Sequence, residues 1–213
     1  MMASPSEEGK ALFLREVGVS RETQQALEAY VDLVNRWTRR INLVSSGTIA
    51  EIWTRHVLDS AQLLEHAPSE ARTWLDLGSG GGFPGLVVAA LAAERSPKLH
   101  FTLVESDERK AVFLRLAITT MKLDCSVLAC RAEALAPEHA DVVSARALAP
   151  LIDLAPVVAR HLAPEGTALL PKGRRSGEEL RAMLAQWSAE VQKVESRTDP
   201  SASILVVRRL QRA

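Results

Sequence analysis

Three acids and a run of glycines carry the clearest chemical signal in this sequence. Asp76 stands near the end of the apolar stretch Trp74-Leu75-Asp76-Leu77. Gly78, Gly80, Gly81, Gly82 and Gly85 follow it, with Pro84 just ahead of the apolar run Leu86 to Ala93. Glycine lets a turn take positive φ and lets a ligand approach the backbone closely. Proline suits a first helical turn, and the free N–H groups of that turn face whatever binds there. The pattern reads as strand, tight turn and helix around a nucleotide-type ligand. Glu105 ends a second apolar stretch, and Glu133 follows a third. In open α/β sheets ligands sit beyond the carboxyl ends of the strands. An acid at the second strand end accepts hydrogen bonds from ribose hydroxyls. Asp76, Gly78, Gly80 and Glu105 are therefore cofactor-binding candidates.

Two registers overlap in the glycines. Gly80-x-Gly82-x-x-Gly85 satisfies the dinucleotide pattern formally, which is weak because the glycines are so dense. Asp76-x-Gly78-x-Gly80-x-Gly82 says more, because it includes the strand-end acid. A dinucleotide enzyme needs a second nucleotide-binding half, and this chain stops after one. Asp76, Glu105 and Glu133 make an electronegative pocket, suited to a sulfonium and an amino group rather than a pyrophosphate. The choice leans to S-adenosylmethionine, with an NAD-linked oxidoreductase as a rival.

Around this stretch the chain must supply strands and helices. At 213 residues, 47% hydrophobic and 24% charged, it suits one soluble domain with an extension. Basic and acidic residues balance at 26 each, which excludes a strongly basic protein. Residues 141–213 hold 11 Lys and Arg against 8 Asp and Glu, a weak hint of a polyanion partner there. No secretory leader is read at the N-terminus, and no apolar run is long enough to span a bilayer, so the expected location is the cytoplasm, with no membrane partner. Cys125 and Cys130 are five apart on an expected strand, face opposite ways, and read as buried reduced thiols. No metal-ligating set is read.

Residues 1–66 form an expected helical N-terminal segment. Ser4-Pro5-Ser6-Glu7 is a capping box for a helix to about Val17, and Ser20 caps a second helix with Leu27, Tyr30, Val31, Val34 and Trp37 on one face. Thr48 and Glu51 read as another capping box, with Ile49, Ile52, Trp53, Val57, Ala61 and Leu64 continuing a helical face. Pro68 marks a boundary, and 67–213 is the main domain. There, strands are expected at Thr73–Leu77, His100–Val104, Cys125–Ala129, Asp141–Ser144, Gly166–Leu170, Val191–Ser196 and Ile204–Arg208. Helices are expected from the glycine turn to about Arg95, then over Asp107–Met121, Leu151–His161 and Glu178–Ser188. Alternation predicts an α/β class: a seven-stranded, mostly parallel, Rossmann-like sheet with helices on both faces. The last two strands are joined by a connection too short for a crossover and should pair antiparallel.

The stretch Asp76 to Gly85 resembles the first motif of the RsmG family, also called glucose-inhibited division protein B. Other stretches match in order: Asn42-Leu43-Val44, Arg55 to Ser60, Leu103 to Ser106 with Lys110, Arg131-Ala132-Glu133, Ser144 to Ala147 and Pro171-Lys172-Gly173. The resemblance implies a class I methyltransferase fold, S-adenosylmethionine as cofactor, and methylation of N7 of guanosine 527 in 16S rRNA. It implies Gly78, Phe83, Ala132, Glu133 and Arg146 as cofactor positions. It implies 16S rRNA as partner, free or within a small-subunit ribonucleoprotein particle. A monomer is expected. The alternative is a methyltransferase with a small-molecule acceptor.

Guanine N7 already offers an in-plane lone pair, so alignment and water exclusion matter more than a general base. The place after the fourth strand reads Ser144-Ala145-Arg146-Ala147-Leu148, without the Asn/Asp-Pro-Pro-aromatic motif of amine methylation or the cysteine of cytosine C5 methylation. Arg146 is the positioning candidate in catalysis, against an ordinary ion pair with Asp153 or another acid. Arg55, His56, Lys172, Arg174 and Arg175 are RNA-binding candidates. Arg55 and Asp59, four apart, also suit a helix ion pair, and the resemblance implies Arg55, His56 and Asp59 as rRNA-facing or pocket-lining positions.

Overall fold

The computed structural model describes residues 4–213; the first three residues, where the reading of a leaderless start begins, lie outside them. Helix α1 (Pro5–Val17) starts as its capping box dictates: Ser4 Oγ accepts from the Glu7 backbone N–H, and Glu7 Oε2 accepts from that of Ser4. Helix α2 (Arg21–Trp37) buries Leu27, Tyr30, Val31 and Val34. The regular helix expected after residue 48 is instead a composite. A 3₁₀ segment (Ser46–Glu51) leads into a π-helical turn (Trp53–Leu58), one α turn (α3, Asp59–Ala61) and a second 3₁₀ segment (Gln62–His66). Thr48 is not its cap. Its hydroxyl lies 3.0 Å from the Ser45 carbonyl and 2.8 Å from His56 Nε2, so Thr48 bonds a side chain the capping pattern does not foresee.

The remaining elements are β1 (Thr73–Leu77), α4 (Gly85–Arg95), β2 (His100–Val104), α5 (Glu108–Met121), β3 (Cys125–Leu128), β4 (Ala140–Ala145), α6 (Leu151–His161), β5 (Leu162–Lys172), α7 (Ser176–Leu184), β6 (Trp187–Glu195) and β7 (Ser203–Arg212). They build a seven-stranded sheet in the order β3-β2-β1-β4-β5-β7-β6. Strands β1 to β5 pair in parallel; β7 pairs antiparallel to β5 and β6. Helix α7 ends four residues before the expected Ser188, because the buried Trp187 already pairs with Arg212. Cys130 lies past the end of β3, and neither cysteine is bonded. Both are half-buried, less than expected, and burial pushes the Cys125 thiol up to about 12.

The strand order reverses between β1 and β4, and that places the site. β1 runs on through α4 and α5 to β2 and β3 on one side, and the chain then returns to lay β4 against the other side of β1. The crevice at such a switch point is where open α/β sheets bind ligands. One core packs α2, the composite segment, α4 and α5 together, with Tyr30, Trp53, Phe83, Leu86 and Phe113 among its members. This core crosses residue 66, so the N-terminal segment is packed into the same apolar interior as α4. On the opposite face, Leu151, Leu154 and Val158 of α6 and Met183 of α7 cover Leu75, Val143 and Leu205. Among the described residues, no helix is long and apolar enough to cross a membrane.

Candidate active site

Register places two polar groups side by side at the switch point: Asp76 of β1 is paired with Ser144 of β4. Both are fully buried. Trp74 Nε1 donates to Ser144 Oγ at 2.8 Å, and Ser144 Oγ donates to Asp76 Oδ1 at 2.6 Å. Asp76 Oδ2 is buried without a partner. Burial raises the Asp76 carboxyl to about 6, against the pull of Ser144 and Ser79. A Cβ on Gly85 would stand 2.7 Å from Asp76 Oδ2. Asp76 therefore lies under the glycine turn, and its backbone carbonyl accepts from Ser79 Oγ at 2.9 Å.

The turn itself is tied from two directions. Gly80 N–H donates to Glu105 Oε2 at 2.8 Å, and the other Glu105 oxygen accepts from Asp107 N–H. Tyr30 Oη, fully buried on α2, donates to the Gly81 carbonyl at 2.5 Å. Gly78 and Gly80 have φ of +65° and +55°, which a side chain strains. A Cβ on Gly78 would meet Leu148 Cδ1 at 2.5 Å, whereas one on Gly80 would meet nothing closer than the Gly78 carbonyl at 3.8 Å. The tight protein contact is thus at Gly78, and the face of Gly80 is open. Ala132 and Glu133 form a 3₁₀ turn after β3; Ala132 is buried, its carbonyl held by His161 Nε2 at 2.9 Å, and Glu133 is exposed. Asp76, Gly78, Gly80, Glu105, Ala132 and Glu133 all come to the carboxyl ends of β1, β2 and β3.

A second group gathers beside the turn. The Arg146 guanidinium lies 5.4 Å from the centre of the Phe83 ring, donates from Nη2 to His56 Nδ1 at 2.9 Å, and pairs with Asp59 Oδ2 at 3.7 Å. Phe83 also packs on Tyr30 and His56, with ring centres 5.2 and 5.1 Å apart. The ion pair is with Asp59, not Asp153. Arg55 in turn pairs with Glu51 at 3.6 Å, so the Arg55–Asp59 helix pair is not formed. Burial, followed by the charges of Arg146 and Arg55, lowers His56 to about 3, which keeps it neutral. Burial also pulls Arg146 below its ordinary value, while Asp59, Tyr30 and Asp76 oppose the shift.

Arg55, His56, Asp59, Arg146, Leu148 and Lys172 line one face of a cavity of about 910 Å³, open beyond the ends of β4 and β5. Lys172 is not a free cation there. Its Nζ donates to the Ala149 carbonyl at 2.7 Å and to Glu179 Oε2 at 3.0 Å, and its side chain is 9% exposed. Glu179 also accepts from Leu151 N–H. Lys172 thus clamps the loop after β4 onto α7. Arg174 and Arg175 lie on the exposed turn before α7, outside the cavity lining, and Arg175 pairs with Glu178.

A family model described as "rRNA small subunit methyltransferase G" matches residues 23–204. The chain belongs to this family. A relative in Cereibacter sphaeroides named "Ribosomal RNA small subunit methyltransferase G" is 53% identical over 92% of this chain and 96% of its own. One in Ruegeria pomeroyi is 47% identical over 90% and 93%. Among solved structures, cofactor-bound Rv0187 from MTB has a TM-score of 0.60 at 16% identity over 98% of this chain and 99% of that chain. The mitomycin 7-O-methyltransferase MmcR also reaches 0.60 at 16% identity, over 100% and 74%. These two share the fold.

Sequence reasoning missed Tyr30, Thr48 and Ser144 as parts of the site. Tyr30 was visible only as one apolar helical position. A tyrosine on an otherwise aliphatic face is the signal, because a buried hydroxyl needs a partner. The signal for Ser144 was a hydroxyl on a central buried strand.

Proposed function

We propose that this chain transfers methyl from S-adenosylmethionine to N7 of guanosine 527 in 16S rRNA. Family membership supports the activity and the cofactor. The observation that carries the site is the pair of compartments on either side of Leu148: the glycine turn with its acids, and the Arg146 cavity.

The residues fit the cofactor. The face of Gly80 is open, and each Glu105 oxygen accepts one backbone N–H. A carboxylate oxygen accepts two hydrogen bonds, which leaves Glu105 capacity for ribose hydroxyls. S-adenosylmethionine, when bound, supplies an electrophilic methyl on a sulfonium. Gly78 and Gly80 provide the close backbone approach, Glu105 and Glu133 acceptors, and the Ala132 turn an apolar wall. Asp76 lies beneath the turn, where its backbone carbonyl takes the Ser79 hydroxyl. The Arg146 cavity is large enough for a nucleotide, and its guanidinium is suited to orienting a guanine edge or a phosphate. No side chain has to remove a proton from N7. Arg146 aligns the acceptor and Phe83 packs beneath it, so the catalytic contribution is geometric.

The test is a pair of titrations and a transfer assay. Calorimetry should show binding of S-adenosylhomocysteine and none of NAD, and labelled cofactor should mark small-subunit RNA. Tight NAD binding would sink the cofactor reading; label on a small molecule but not on RNA would favour the alternative acceptor class.

A further inference from the structure

Every donor around His56 can be assigned a direction. Arginine has five N–H donors and no acceptor, so in the 2.9 Å contact Arg146 Nη2 donates and His56 Nδ1 accepts. Nδ1 therefore carries no proton, and the neutral ring carries its proton on Nε2. That proton needs an acceptor in a part-buried place, and Thr48 Oγ1 lies 2.8 Å from Nε2. Thr48 is free to accept because its own hydroxyl proton is directed at the Ser45 carbonyl, 3.0 Å away. The ring packs on Phe83, 5.1 Å between centres. Arg146, His56, Thr48 and the Ser45 carbonyl thus form a one-way series of hydrogen-bond donation, starting at the guanidinium that lines the cavity.

We propose that Thr48 is a positioning residue for Arg146, acting through the orientation of the His56 ring. Without the hydroxyl, the Nε2 proton loses its acceptor. A proton on Nδ1 would face the guanidinium, so the ring keeps Nε2–H and turns until that group meets water, which withdraws Nδ1 from Arg146. The guanidinium keeps Asp59, at 3.7 Å, and the Arg55 carbonyl, at 3.4 Å, as weaker partners. The 3₁₀ segment that carries Thr48 thereby acquires a task in the site, distinct from starting a helix. The functional part rests on Arg146 facing the acceptor; the orientation of the ring does not depend on that reading.

Two variants separate hydroxyl from shape. Thr48→Val keeps the branched outline and removes the hydroxyl; Thr48→Ser keeps the hydroxyl and removes the methyl. The nitrogen-15 shift of His56 Nδ1 reports its hydrogen bond from Arg146 without RNA or turnover. The wild type and Thr48→Ser should show a hydrogen-bonded Nδ1, and Thr48→Val a shift toward that of an unbonded ring nitrogen. Turnover on small-subunit RNA should fall about tenfold in Thr48→Val, the loss of roughly one buried hydrogen bond, and be restored in Thr48→Ser. A Thr48→Val protein with the wild-type Nδ1 shift overturns the proposal, as does a Thr48→Ser protein as impaired as Thr48→Val. A changed Nδ1 shift with unchanged turnover overturns its functional half alone.

Discussion

At the scale of single residues, two buried titratable groups work against each other. Burial lowers His56 from 6.5 to about 3, so its native state binds fewer protons than the unfolded chain. Its contribution to stability is whole above about pH 6.5 and is lost as pH falls toward 3. Burial raises Asp76 from 3.8 to about 6, so its native state binds more protons. Its contribution is whole below about pH 3.8 and is lost as pH rises through 6. Each slope is about 1.4 kcal/mol per pH unit, and in the shared window from about pH 4 to 6 they oppose. Urea unfolding should therefore show His56→Gln losing stability with rising pH relative to wild type, and Asp76→Asn gaining it. Parallel curves for both variants and wild type would contradict the two burial effects. Tyr30→Phe makes a second residue-scale case. It leaves the buried Gly81 carbonyl without its 2.5 Å partner, and should cost about 1–3 kcal/mol in the same unfolding measurement while weakening S-adenosylhomocysteine binding.

At the scale of elements, the loop after β4 is the part most dependent on context. Arg146 anchors its start, and Lys172 and Glu179 hold its end, so that Leu148 rests on Gly78. Lys172→Met should leave the partly buried Glu179 unpaired and lower stability by about 3 kcal/mol. It should leave the salt dependence of RNA binding unchanged. A loss of about one unit of salt slope would instead mark a phosphate contact. The sequence shows why this element was hard to read. Pro171-Lys172-Gly173 looks like a polar turn, and only the parallel pairing of β4 with β5 brings Lys172 beneath Ala149. The strands, the glycine turn and the antiparallel close were legible because each depends on local periodicity or connection length. The composite segment was not, since its apolar spacing suits a regular helix, while the packed structure widens one turn around Arg55 and His56. Phe83 shows the mixed case. Its family position marked it, but its contacts with Tyr30, His56 and Arg146 cross three separate stretches of chain.

At the scale of the whole molecule, the N-terminal helices share one core with α4 and α5, and through Tyr30, Thr48, His56 and Asp59 they furnish one wall of the site. Cutting them away should cost the fold and the site together, read as a loss of cooperative unfolding and of cofactor binding in a chain lacking residues 4–66. Under the proposed function, the charge balance of the whole chain assigns affinity for RNA to local groups and RNA shape, not to a broad basic face. The central claim joins the two compartments in one reaction. Its most direct test is to incubate the protein with labelled S-adenosylmethionine and small-subunit RNA and to map N7-methylguanosine by strand cleavage. The account predicts one cleavage, at guanosine 527, lost in Arg146→Ala. Folded, cofactor-binding protein that leaves no N7-methylguanosine on competent RNA would contradict it.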